Sequence, residues 1–280
     1  MPDCIHSHPP DDPRSTLELI NVALTETDFE SAWNAVVALH WRGTREVVDE
    51  ASSLCRSHCA RERELGADIL GQLGVCTPTF PAERFAILSG MLSRKVNADV
   101  LESIFIAFSF LHEPAAVPVI TPFRRHADPD VRVAVANALS GHEDRRAIRS
   151  LIELSDDDHA EVRNWATFGL GTQIDVDTPE IREALVQRLD DCDDETFGEA
   201  QVGLARRGDR RVIPSLLTSL ESDVVDRFAL EAAELIAAPE LSASLNRLHG
   251  RLTHNHDLLD RAIAACQETI PRTEPGFLKS

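Results

Sequence analysis

The phrase that runs from Asp130-Val131-Arg132 to Ala138-Leu139-Ser140-Gly141 returns as Glu161-Val162-Arg163 to Gly169-Leu170-Gly171. Taking Leu139 and Leu170 as anchors, related phrases place further anchors at Leu39, Leu70, Phe108, Leu204, Leu235 and Cys266. The successive intervals are 31, 38, 31, 31, 34, 31 and 31 residues. A near-constant interval in this range marks one supersecondary unit stacked on copies of itself. Inside the second copy, Val162, Ala166, Gly169 and Leu170 follow the i, i+4, i+7, i+8 spacing of a helix with one buried face.

Each repeat has two parts. The helix Arg145–Leu154 carries apolar residues at 147, 148, 151, 152 and 154. A polar turn, Ser155-Asp156-Asp157-Asp158-His159, leads into the second helix near Ala160. Other first helices are expected at 44–55, 82–92, 115–124, 179–189, 210–220 and 239–249. Pro118 and Pro214 sit near the starts of two of these, where a missing N–H costs little. The turns carry Asp28, Asn97-Ala98-Asp99, Asp128-Pro129-Asp130, Asp190 to Asp194 and Ser222-Asp223, residues that cap helix N-termini and suit the positive end of the dipole. None of these loops has the ligand order of a tight calcium loop.

The 280 residues are 43% hydrophobic but only 5% aromatic, with no Tyr, so the core is built from Leu, Ala, Ile and Val. No apolar run reaches the roughly 20 residues of a membrane span. The first ten residues have no basic region and no apolar stretch, so a cytoplasmic location is expected. Residues 1–14 and 270–280 read as mobile tails around a repeat region at 15–269. Six cysteines, at 4, 55, 59, 76, 192 and 266, form no framework and are expected to stay reduced. The net charge is −19, and residues 153–199 alone hold 15 Asp or Glu against 3 Arg, a local −12. That balance repels phosphate backbones and suits a basic protein surface.

With these residues laid out, the chain resembles the HEAT-repeat family, and within it the short bacterial repeats also seen in phycobilisome lyases. The match is strongest at 128–152 and 160–189 and weaker at 61–74 (Arg63, Ala67, Leu70, Gly71). The resemblance implies an all-α solenoid, a right-handed superhelix of about eight antiparallel helix pairs whose second helices line the concave face. It implies that Arg63, Arg132 and Arg163, with Asp130, form a structural ladder in which the arginines pair with carboxylates of neighbouring turns. The phrase departs from the pattern at 100–101, 196–197 and 227–228.

Chemistry-bearing motifs are sparse. His112-Glu113 and His142-Glu143 are two His-Glu pairs, where one HEAT-repeat enzyme, deoxyhypusine hydroxylase, uses four inside its repeat helices to hold two irons; here both pairs lie after the second helix and are not expected to converge. Cys55-Arg56-Ser57-His58-Cys59 offers three zinc-type ligands where about four are needed. His249, His254 and His256 gather at the last turn. No phosphate-binding glycine loop, Gly-x-Ser-x-Gly or His-Glu-x-x-His occurs. No catalytic residue, metal site or cofactor is expected.

The sequence therefore points to a non-catalytic scaffold or adaptor that binds a protein or peptide, with inhibition of a basic protein, or a bilin-lyase-like or hydroxylase-like enzyme, as alternatives. Neither nucleic acid nor membrane is an expected partner. The binding surface is expected on the second helices at 99–111, 130–141 and 160–171. Phe105, aligned with Ala136 and Thr167, is apolar beyond what packing requires, as are Leu101 and Phe110. Asn137 and Asn164 are polar residues in helix interiors, where propensity gives them nothing. Trp165 is the best aromatic anchor, and Gln201, aligned with Thr167, extends the wall towards the acidic segment.

Overall fold

A computed structural model describes residues 12–75, 77–93, 96–251 and 254–268. Among them the chain is all-α, with sixteen α-helices, five short 3-10 turns and no strand. It divides into two compact units, Met1–Ser150 and Leu151–Ser280. The first contains α1 (Thr16–Thr25), α2 (Phe29–Arg42), α3 (Arg45–Cys55), α4 (Ala60–Gly71), α5 (Pro81–Met91), α6 (Ala98–Leu111), α7 (Val117–Ile120) and α8 (Pro129–Leu139). Helix α9 (Arg145–Leu154) carries the division point. The second unit contains α10 (Ala160–Gly171), α11 (Pro179–Gln187), α12 (Asp194–Arg206), α13 (Ile213–Glu221), α14 (Arg227–Ile236), α15 (Ser242–Leu248) and α16 (His256–Glu268).

The helices follow one another as pairs, and the second members form a continuous row within each unit. Helices α4, α6 and α8 pack in sequence in the first unit, as do α10, α12, α14 and α16 in the second. This is the HEAT-like solenoid that the repeat interval implies. Small residues allow the close approach. A Cβ added to Gly203 on α12 would lie 2.6 Å from the Gly171 Cα on α10, so the two backbones touch where any side chain would part them. Asp28, Asp128, Asp193 and Asp226 accept backbone N–H groups at the starts of α2, α8, α12 and α14. Asn97 holds the cap position of α6 without a side-chain bond. Ser222 ends α13 and caps nothing that follows.

The expected helix at 115–124 is broken into a 3-10 turn (Pro114–Ala116), α7 and a second 3-10 turn (Thr121–Arg125). Pro118 sits in the first turn of α7, but Pro122 lacks the N–H that would continue the helix. Pro214 likewise falls in the first turn of α13, after a 3-10 turn at Arg210–Val212.

Seven of the eight anchors are fully buried, but Leu235 is 44% exposed. The cap positions explain the exception. Leu39, Leu70, Phe108, Leu139, Leu170 and Leu204 each lie eleven residues beyond their N-cap residues Asp28, Cys59, Asn97, Asp128, His159 and Asp193. Cys266 stands in the same relation to Asn255, which precedes α16. Counted from Asp226, the eleventh residue is Ala237, where α14 ends in a left-handed turn at φ 47°. Ala237 is only half-buried there, so α14, which ends at Ile236, has no buried residue at the anchor count.

Two buried arginines hold helix ends. Arg84 donates from Nε to Leu70 O and from Nη2 to Gly71 O, both at 2.5 Å, and from Nη1 to Leu73 O and Thr79 O, both at 3.0 Å. It thereby satisfies the last carbonyls of α4, which have no partner in the helix. Burial pulls its pKa down to about 10, so it stays charged at neutral pH. Arg207 does the same for α10, reaching Leu170 O (2.7 Å), Gly171 O (2.8 Å) and Gly203 O (3.0 Å). Of the residues read as tail, Asp12 is fastened by Arg42, which donates to its carbonyl at 3.0 Å. Residues 1–11 and the tail read at 270–280 lie outside the described residues.

Candidate functional site

Along the second-helix row of the second unit, α10, α12 and α14 enclose a cleft of about 590 Å³. Its register follows from the caps. Two residues beyond His159, Asp193 and Asp226 stand Glu161, Glu195 and Phe228; six residues beyond the first two stand Trp165 and Glu199. Residues at the same count share a face of their helices, so these side chains gather along one line. Trp165 and Phe168 meet edge to face, centroids 5.9 Å apart and planes at 83°. The third ring, Phe228, reaches the cleft because α12 offers no side chain at Gly198, where a Cβ would lie 2.4 Å from Phe228 Cδ2.

Carboxylates surround the rings: Glu161, Asp193, Glu195 and Glu199. Asp193 is committed to capping α12. Asn164 donates from Nδ2 to Glu195 Oε2 at 2.6 Å and so fixes that carboxylate by one oxygen. Glu199 is different. Its Oε2 is buried without a hydrogen-bond partner, and so is His159 Nδ1. Burial, and then the neighbouring Glu231 and Glu195, push the Glu199 pKa up to about 7. At neutral pH the cleft therefore holds a carboxyl poised between its charged and uncharged forms.

Of the expected partner-binding residues, Asn164 and Trp165 line this cleft, half-buried. Phe105, Thr167 and Gln201 are fully buried and cannot meet a partner. Phe105 packs against Phe123 (5.0 Å) and Phe108 (6.5 Å), so its apolar character serves the core of the first unit. Leu101 is also buried, while Phe110 is 54% exposed. Gln201 donates from Nε2 to Ser215 Oγ (3.2 Å) and Ser219 Oγ (3.1 Å), tying α12 to α13. Thr167 lies inside the stack with Oγ1 unpartnered. Asn137 is half-buried on α8, in the first unit.

Each ladder arginine reaches the turn before its own helix. Arg63 donates to Ser57 O (3.1 Å) and His58 O (3.0 Å), and Arg132 to His126 O (2.9 Å). Arg163 donates to Asp157 O (3.1 Å) and also forms the expected carboxylate pair, to both oxygens of Asp191 at 2.7 and 2.8 Å. Asp130 is exposed, and its own N–H is held by Asp128 Oδ1 at 3.1 Å.

His112 and His142 stack with centroids 4.2 Å apart. Burial, then the facing His112, pull the His142 pKa down to about 4. Cys55 is buried, its thiol pushed up to about 12 by desolvation, whereas Cys59 is exposed at the start of α4. Cys55, Cys59, Cys192 and Cys266 are free thiols; Cys4 and Cys76 lie outside the described residues. Among the described residues no three His, Cys, Asp or Glu converge as metal ligands, and no helix is long and apolar enough to cross a membrane.

Sequence reasoning missed Phe168, Glu199 and Phe228 in the cleft and Arg84 and Arg207 at the helix ends. For Phe228 the signal was present: counted from the caps, the bare Gly198 faces it.

Residues 91–171 match the protein-family model for HEAT repeats. Protein YibA of Escherichia coli K12 is 33% identical over 203 residues, which cover 70% of this chain and 71% of YibA, and YibA of strain O157:H7 matches equally. The X-ray structure of Escherichia coli YibA aligns with TM-score 0.73 and 26% identity over 91% of this chain and 93% of that one. The CpcE–CpcF complex of phycocyanin lyase from Nostoc sp. PCC7120 aligns at TM-score 0.48 and 16% identity over 95% of this chain and 99% of that one, a likeness from which no function follows. By its repeats, its fold and its relatives, this chain belongs to the YibA-like family of HEAT-repeat proteins.

Proposed function

We propose that the protein is a non-catalytic interaction module that binds a basic segment of a partner protein through the α10–α12–α14 wall. The observation that carries this reading is the cleft itself, three aromatic rings ringed by carboxylates. Rings give contact area at small cost in side-chain order, and carboxylates attract cations and raise association rates. What the ten residues around the cleft present is chiefly aromatic surface and carboxylates, which supports a role in recognition. The same carboxylates disfavour nucleic acid.

The test is binding of a fluorescent lysine-rich peptide to the full-length protein at low and high salt. A glutamate-rich peptide of equal length serves as comparison. Binding of the basic peptide that weakens with salt, and by tenfold in Trp165→Ala and Asn164→Ala at wild-type helicity, is the expected result. Equal binding of both peptides would sink the reading. The local −12 of residues 153–199 favours a second reading, in which the partner is a basic enzyme that the wall covers and inhibits. It predicts loss of that partner's activity at one-to-one stoichiometry.

A further inference from the structure

We propose that the cleft is a receptor for one arginine side chain, whose guanidinium lies against the Trp165–Phe168 rings and donates to Glu195 and Glu199. The proposal rests on the basic-partner reading above and names the residue that partner inserts. Three cationic groups could answer the charge: an ammonium, a quaternary ammonium and a guanidinium. The unmet hydrogen bonding of the cleft separates them.

Glu199 Oε2 is buried with no donor. The residue itself is half-buried in the cleft wall, and a carboxylate so short of donors gains when a ligand supplies an N–H to it. A quaternary ammonium has no N–H to give. A lysine ammonium has three, around a compact, strongly hydrated charge that cannot lie flat on a ring. A guanidinium carries five N–H groups in a plane, stacks on aromatic faces and reaches two carboxylates at once. The cleft provides both requirements. Trp165 and Phe168 stand at 83° to each other, giving a wall and a floor. Its acceptors come from one turn of α12, Glu195 and Glu199, with Glu195 already oriented by Asn164.

The experiment uses the full chain and three peptides of equal charge, each with six lysines flanking a central arginine, lysine or trimethyllysine. Affinity is measured by calorimetry, and the indole N–H signal of Trp165 is followed by NMR. The arginine peptide is expected to bind at least fivefold tighter than the other two and to shift the Trp165 signal. Trp165→Ala and Glu199→Ala should reduce the arginine preference to under twofold, whereas the exposed Glu30→Gln leaves it intact. Circular dichroism confirms that each variant is folded, and Glu199→Ala keeps the test alive if Trp165→Ala is not. Equal affinity for the three peptides, or a preference that survives in Glu199→Ala, overturns the arginine assignment while leaving the basic-partner reading in place. Failure of all three to bind at low salt overturns both.

Discussion

Arg84 shows how much one side chain can hold. Its guanidinium is buried and meets four carbonyls at the end of α4 and in the following loop. Arg84→Ala should cost about 3 kcal/mol or more, because those carbonyls lose their donor inside the protein. Arg84→Lys should recover only part of that, since one ammonium cannot span them; thermal unfolding of both variants measures the difference. Glu199 predicts a pH trend. Its folded pKa is raised from 4.5 to about 7. The folded state keeps this proton after the unfolded chain has lost it, so the associated stability is full below pH 4.5 and lost as pH rises through 7. Glu199→Gln should remove a pH-dependent term on the order of 1–3 kcal/mol, seen as a flatter denaturation midpoint across that window. Trp165 and Asn164 were legible in the sequence because tryptophan occurs only three times in the chain and a polar amide gains nothing inside a helix. Glu199 was not, because its meaning lies in missing partners and close carboxylates, which no linear spacing records.

At the scale of the element, the helices were legible nearly to the residue, since apolar periodicity and Asp caps agree. Exposure was harder to read. Phe105 looked surplus because one helix face was counted against an average partner, whereas α6 packs on α4, α5 and α8 and meets the ring of Phe123. Leu235 breaks the interval because α14 is short and buries Ala229, Leu230, Ala232 and Ala233, leaving its last turn half-exposed. Leu235→Ser should change stability by under about 0.5 kcal/mol, as for an exposed site. Leu204→Ala should cost about 2–5 kcal/mol. Comparable losses from the two, measured by denaturant titration, would refute this placement of Leu235 outside the core. Gly198→Ala should push Phe228 from its seat, cost about 1–3 kcal/mol and weaken binding of the basic peptide.

At the scale of the molecule, each unit is a one-dimensional stack in which a helix touches its own partner and the helices of the adjoining repeats. Stability in such stacks is close to a sum of local terms, so damage stays near its origin. Hydrogen exchange on Arg84→Ala should show lost protection in α3 to α6 and near-wild-type protection in α12 to α16. Uniform loss over both would mean that the chain unfolds as one block. The fold class was the most legible property of all, because a repeated phrase is read many times over. The identity of the ligand was the least, because it depends on which few positions break the repeat.

The fixed count of eleven residues from cap to anchor also acts as a ruler. The intervals between successive helix starts, Asp28 to Asn255, vary from 29 to 38 residues, yet a buried anchor stands at the eleventh residue in seven of the eight second helices. Length variation is thus confined to the first helices and their loops. An engineer who lengthens the turn between α13 and α14 would leave the wall in register. One residue inserted between Asp226 and Ala237 would rotate every later side chain by about 100°, at 3.6 residues per turn. New loops, tags or whole modules therefore have marked entry points in this chain, set by where its counting starts and stops.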